Sequence, residues 1–221
     1  MVNFIKEFTA SFDVDPQVGF SPLAPNELPV AGGDEIVGEL NAQAEYAKLR
    51  VASKDAHTPN GIWIATPDNP QFSVVGTSNV DIRWNRHCEV GTPGFEFLPG
   101  LPKPLEYDFV VYKGMENDCH PYGAAYHDIQ ETRSTGLIEF LKQNKITTVL
   151  IGGLALDFCV ATTAKQLRKA GFRVIINLAG TRAIAKDPSE VILQMAAMDI
   201  EFVENFLDLA ALKFKTDMGG E

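Results

Sequence analysis

The sequence is short of the features that announce several functional classes. Cysteine occurs three times in 221 residues, as Cys88, Cys119 and Cys159. They form no Cys-x-x-Cys pair and no framework spacing, which argues against a disulfide-stapled secreted scaffold and fits a reducing compartment. The odd count leaves at least one thiol free. Runs of Lys or Arg are missing, and the formal net charge is -10, so a nucleic-acid partner is not expected. No apolar run approaches the roughly 18 residues of a membrane span, and the opening Met1 to Phe8 has neither a long apolar core nor a cleavage-like site. The expected setting is soluble and cytoplasmic, with small molecules as partners and with monomer and homo-oligomer both left open. No internal repeat is visible. What is present is ordinary globular usage, 45% hydrophobic and 22% charged, in a length that suits one α/β domain.

The chain is organised around residues 149–160. Val149, Leu150 and Ile151, followed by Gly152 and Gly153, read as a buried strand entering a tight turn. Apolar positions at Val160, Ala161, Ala164 and Leu167 then fall at helical spacing up to Arg168, Lys169 and Gly171, a charged last turn and a stop. Cys159 sits at this strand-to-helix turn. A thiol there feels the positive end of the peptide dipoles and is expected to ionise more easily than a free one, while the turn's unpaired N–H groups can hold an oxyanion. A buried, inert cysteine remains the other reading.

Other predicted strand ends carry chemically active residues. Residues 8–15 read as a strand of mixed polarity ending in Asp13 and Asp15, two apart and so expected on one face, where one can raise the other's pKa. Either is a candidate carboxylate or a turn-forming Asp. Leu49 to Ser53 predicts a second strand that delivers Asp55 and His57 at its C-terminal end, at a spacing that lets both converge as ligands. His87, in a glycine- and proline-rich loop, is the candidate third ligand. Two imidazoles and a carboxylate leave positions open, as a catalytic metal requires. Cys88 beside it is expected to pack. Residues 105–113 predict a third strand ending in Lys113, which either reaches solvent or charges a neighbouring acid and thiol.

A helix from Asp34, capped by that residue and ending before Leu49, precedes the second strand. Residues 61–83 contain no long helix, which marks 58–104 as a lid-like insertion, with Trp63 and Phe72 as its large apolar residues. Further elements are a helix from Thr135 to about Asn144, a strand over 173–178, a helix over 188–198, a last strand over 201–203, and a short docking helix from Phe206 through Phe214 before a loose end. Alternating strands and helices predict a single-domain, three-layer α/β/α fold with a mostly parallel sheet of about six strands.

Together these residues resemble the isochorismatase-like cysteine hydrolases over nearly the whole chain. Asp15 to Phe20 resembles the family's Asp-x-Gln-x-x-Phe, Lys113-Gly114 its Lys-Gly, and Gly153 to Val160 its nucleophile turn. Asp55-Ala56-His57 and His87 to Gly94 resemble the metal motifs of the nicotinamidase branch. The resemblance implies a triad of Asp15, Lys113 and Cys159, an oxyanion hole from the amides of Ala155 and Cys159, and a cis Leu154–Ala155 peptide. It implies one divalent ion on Asp55, His57 and His87, zinc first, with iron or manganese also compatible. It also implies Phe20 and Trp63 against the substrate ring, and hydrolysis of nicotinamide or pyrazinamide to the acid and ammonia through a Cys thioester. The chain departs from the pattern where Gly61-Ile62-Trp63 replaces a further His and Ser, and where His120-Pro121-Tyr122-Gly123 replaces the commoner Asp-x-Tyr-Ser. An amidohydrolase for ureido or carbamoyl substrates, and a metal-binding protein without catalysis, are the alternatives.

Overall fold

The computed structural model describes residues 5–209. A six-stranded sheet of order β5-β2-β1-β6-β7-β8 forms its centre, and every adjacent pair in it is parallel. The strands are β1 (Thr9–Val14), β2 (Leu49–Asp55), β5 (Phe109–Lys113), β6 (Thr148–Leu154), β7 (Arg173–Arg182) and β8 (Glu201–Val203), with β3 (Val74–Thr77) and β4 (Val80–Ile82) as a separate antiparallel pair. The helices are α1 (Val37–Ala44), α2 (Leu137–Gln143), α3 (Ala161–Lys169) and α4 (Ser189–Ala196).

Side chains alternate across a strand, so each strand serves two layers. Ala10, Phe12 and Val14 of β1 join Val149 and Ile151 of β6 under Leu137 and Leu141 of α2, Ala164 and Leu167 of α3, and Met195 of α4. The opposite face turns Ser11 toward α1, where Gln43 donates to its hydroxyl at 3.1 Å. Leu150 and Ile175 pack on that side with Val203 and Leu209. Both faces of β1 and β6 are buried throughout, which is the environment that favours continuous apolar, β-branched runs.

Several expectations need correction. The helix begins at Val37 after a 3-10 turn over Gly33–Ile36, and no side-chain cap from Asp34 is made. β5 starts at Phe109, because Pro104–Glu106 forms a 3-10 turn that leaves Leu105 fully exposed. β7 runs past Leu178 to Arg182, because a register shift in β6 lets Gly153 pair with Thr181, whose hydroxyl donates to the Gly153 carbonyl at 2.6 Å. Residues 61–83 hold the β3–β4 pair, which sequence periodicity did not reveal. Residues 206–209 are helical; the expected continuation through Leu212 and Phe214, and the loose end, lie outside the described residues. Among the described residues, no helix is long and apolar enough to cross a membrane. The Leu154–Ala155 peptide is cis.

Gly153 is required by close approach: its φ is 125°, and a Cβ there would collide with the Val14 carbonyl oxygen of the adjacent strand. Gly38, in α1, has nothing within 4 Å of a would-be Cβ. Gly153→Ala is therefore expected to destabilise by about 3 kcal/mol or more, whereas Gly38→Ala should stabilise by up to about 1 kcal/mol. Urea unfolding of the two variants checks both signs.

Candidate active site

The strand order reverses between β1 and β6, since the chain builds outward from β1 toward β5 on one side and from β6 toward β8 on the other. Open α/β sheets form a crevice at the carboxyl ends of the strands flanking such a point. Asp15 follows β1 and Cys159 follows β6. On the neighbouring strands Asp55 and Lys113 are the last residues of β2 and β5, and parallel pairing sets them as direct register partners. Four strand ends thus deliver four reactive groups to one place.

All four are buried, Asp15 and Lys113 completely. The Lys113 ammonium lies 2.9 Å from Asp15 Oδ2, pairs with Asp55 Oδ1, and stands 3.7 Å from Cys159 Sγ. The Ser53 hydroxyl donates to Asp15 Oδ1 at 2.6 Å. Gln17 clamps the backbone of Asp55, donating to its carbonyl at 2.8 Å and accepting from its N–H at 2.7 Å. Burial alone would neutralise Lys113, but the two carboxylates outweigh it and hold the ammonium pKa well above its ordinary value. Burial likewise pushes Asp55 up, yet Lys113 and His57 more than compensate, and its carboxyl stays well below the usual range. Burial and the Asp55 charge raise Asp15 against the opposing pull of Lys113.

Cys159 corrects an expectation. Its turn is a single π-type turn, Leu156–Val160, leading into α3, and burial pushes its thiol well above the ordinary value, opposed by Lys113 and reinforced by Asp15 and Asp55. Burial thus favours the protonated thiol, which would need a base to react, and a carboxylate oxygen of Asp15 lies within 4.8 Å of its sulfur.

Beyond Asp55 lies a group of imidazoles. Nε2 of His57 and of His87 are 3.4 and 3.6 Å from Asp55 Oδ2. His57 Nδ1 pairs with the Gly114 carbonyl at 3.0 Å, and His87 Nδ1 with the Asn85 carbonyl at 2.6 Å. Each therefore keeps its Nδ1 proton and turns an Nε2 lone pair inward. Gly114, at φ 75°, has no side chain because the His57 ring occupies the space a Cβ would need. Donor atoms of His57, His87 and His120 lie within 4.8 Å of one another, all three residues being buried. His57 Nε2 has no hydrogen-bond partner, an orphaned buried acceptor beside an ionised carboxylate. That donor set fits a divalent transition-metal ion.

A cavity opens onto both groups, lined by Phe20, Leu28, Trp84, Tyr122, Phe158 and Ile184 and also by Asp55, His87, His120, Ala155 and Cys159. The Trp84 and Phe158 rings meet at 90° with centroids 4.8 Å apart. The walls are apolar and aromatic and the polar groups converge at one end, the lining of a small-molecule site.

The isochorismatase domain profile matches residues 9–201. The chain belongs to the isochorismatase family. It is similar to a nicotinamidase from Acinetobacter baylyi, 33% identical over 174 residues that cover 77% of this chain and 79% of that one. Its fold matches an Acinetobacter baumanii nicotinamidase/pyrazinamidase with a TM-score of 0.84 at 30% identity, covering 92% of this chain and 98% of the other. It also matches a Pyrococcus horikoshii pyrazinamidase solved with zinc, with a TM-score of 0.71 at 28% identity, covering 89% and 98%. The chain is an enzyme of the hydrolase type, as membership of this family implies.

Within this isochorismatase-family crevice the structure separates residues that the sequence left ambiguous. Asp13 faces away, 2.8 Å from Arg50 and accepting from the Tyr107 hydroxyl at 2.9 Å. Burial, not Asp15, raises its pKa. The expected common face is broken because β1 ends at Val14 and Asp15 takes a left-handed φ of 43°. Cys88 packs in the apolar cluster with Phe20 and Leu98. Phe20 lines the cavity, but Trp63 does not. It backs the imidazoles, with ring centroids 4.4, 5.2 and 4.8 Å from His57, His87 and His120. Trp84, Tyr122 and Phe158 are the aromatic walls that sequence reasoning missed, and Trp84, three residues before His87, was the available signal.

Removing one member of a buried charge cluster leaves the others uncompensated. Lys113→Met in metal-stripped protein is expected to lose about 3–5 kcal/mol of stability at pH 7. Without the ammonium, Asp15 and Asp55 bind protons more tightly folded than unfolded, so the variant's stability falls as pH rises and its deficit relative to the parent is larger at pH 7 than at pH 4. Denaturant titrations at the two pH values check the magnitude and the sign.

Proposed function

We propose that this enzyme hydrolyses nicotinamide to nicotinate and ammonia, and accepts pyrazinamide, through a thioester on Cys159. The observation that carries the reading is the convergence of Cys159, Asp15 and Lys113 beside a cavity walled by Trp84, Tyr122 and Phe158. The similar nicotinamidases and pyrazinamidases support it.

The steps follow from the groups in place. Asp15 takes the thiol proton, for which its raised pKa suits it, and Lys113 balances the charge passing between carboxylate and sulfur. Sγ attacks the amide carbon, and the amides of Ala155 and Cys159 receive the oxyanion. Asp15 returns its proton to the nitrogen as the C–N bond breaks and ammonia leaves. A water then attacks the thioester, giving a proton to Asp15, and the C–S bond breaks to release nicotinate and the thiol. Asp55, His57 and His87 are the residues that would hold the ion, zinc by preference; when bound, it supplies a Lewis-acidic position for the ring nitrogen of the substrate. Trp84 and Phe158 flank the ring, and Phe20 closes it from the side of His87, 5.1 Å between centroids. The chain acts as one domain in which 58–104 supplies Trp84 and His87 as a cavity wall. A reducing cytoplasm keeps the thiol free.

Ammonia release, with metal content measured on the same sample, tests the assignment. Nicotinamide and pyrazinamide should both be hydrolysed. Benzamide, which offers no ring nitrogen to the imidazole-rich end of the cavity, should show a kcat/KM lower by at least about 100-fold. Equal rates for benzamide and nicotinamide, or preference for a ureido acid over both, would overturn it.

A further inference from the structure

His120 is left without work by the steps above. Its side chain is buried, and neither ring nitrogen has a hydrogen-bond partner. A neutral imidazole carries one N–H and one lone pair, and buried polar groups of this kind are normally satisfied. His57 and His87 meet the rule on one side through backbone carbonyls and turn the other nitrogen inward. His120 is held differently, by ring packing. It stacks on His57 at 5.0 Å and 14°, lies parallel to Trp84 at 6.1 Å and 14°, and touches Trp63 at 4.8 Å, while its backbone N–H donates to the Asn79 carbonyl at 2.8 Å. That packing fixes the ring in a position where one nitrogen lies within 4.8 Å of a ring nitrogen of each of the other two histidines.

Ring nitrogens of three buried imidazoles thus lie within 4.8 Å of one another, an arrangement that a shared cation would satisfy. The carboxylate beside them cannot serve this need alone. Asp55 commits Oδ1 to the Lys113 ammonium and has only Oδ2 near the imidazoles, so its donor strength toward an ion is divided.

We propose that His120 is a third imidazole ligand of the active-site ion, completing a set of Asp55, His57, His87 and His120. The assignment rests on the metal reading above and extends it. Three nitrogen donors and one shared carboxylate favour zinc, cobalt or nickel over manganese or magnesium, which prefer oxygen-rich sites. Its segment, His120-Pro121-Tyr122, also contributes the Pro121 carbonyl 3.4 Å from Lys113, so one loop would touch both the ion and the charge cluster.

The test titrates Co²⁺ into metal-stripped full-length protein against a competing chelator and records the visible d–d bands, with no substrate present. His120→Phe keeps a flat ring between His57 and Trp84 and removes only the donor. The variant should bind Co²⁺ at least about 100-fold more weakly, beyond the 10–100-fold that follows loss of outer-shell support, and its bands should shift. A His120→Ala variant with native circular dichroism should regain the parental spectrum on addition of free imidazole. Unchanged affinity and bands in His120→Phe, weaker binding with unchanged bands, or no recovery with imidazole would overturn the assignment while leaving Asp55, His57 and His87 as ligands. Failure of the parent protein to bind Co²⁺ or Zn²⁺ at all would overturn the metal reading itself, and the two failures are thereby distinguishable.

Discussion

A fully buried ammonium cannot stand without anions, and Lys113 has two: the carboxylates of Asp15 and Asp55. Much of the active-site geometry follows from that requirement. β2 and β5 must pair in the register that sets Asp55 beside Lys113, and β1 must end early enough for Asp15 to turn back toward the same point. Gln17 holds the Asp55 backbone, and Ser53 holds Asp15. Such a cluster is costly to bury and adds little net stability over apolar packing. Its presence at the sheet's switch point is therefore better explained by chemistry than by folding.

The same ammonium joins two regions with different tasks. On one side Asp15 and the Cys159 thiol share a buried, low-dielectric pocket where charge is expensive. On the other, Asp55 lies against the buried imidazoles of His57 and His87. Because Asp55 serves both, the electrostatics of the thiol and of the imidazole cluster are not independent, a coupling absent from any description that assigns the triad and the metal ligands to separate modules. Under the proposed function, the aromatic walls would hold a flat substrate in a plane with its reacting carbon over the sulfur.

Much of this arrangement was legible in the sequence. Strands that are buried on both faces read as continuous apolar runs, and the residues at their ends, Asp15, Asp55, Lys113 and Cys159, carried the chemistry where parallel sheets place it. Three features were hidden for physical reasons. The separation of Asp13 from Asp15 depends on a left-handed residue that no period predicts. The protonated state of the thiol depends on burial among carboxylates that lie 104 to 144 positions away in the chain. Trp63, expected against the substrate ring, backs the imidazoles, and His120, for which no role was expected, joins them, because a loop past Lys113 folds across the 58–104 segment. That contact is tertiary and leaves no local periodicity to read.

The account stands or falls on Cys159 as the covalent nucleophile. Acid quenching of the enzyme during turnover of nicotinamide, followed by peptide mapping by mass spectrometry, would locate the acyl group directly. A nicotinoyl thioester is expected on the peptide that carries Cys159, and none on Cys88, which packs in the apolar cluster with Phe20 and Leu98, or on Cys119, whose thiol donates to the His127 carbonyl. Steady ammonia production with no acyl group on Cys159 at any quench time, or with the acyl group on another residue, would contradict it.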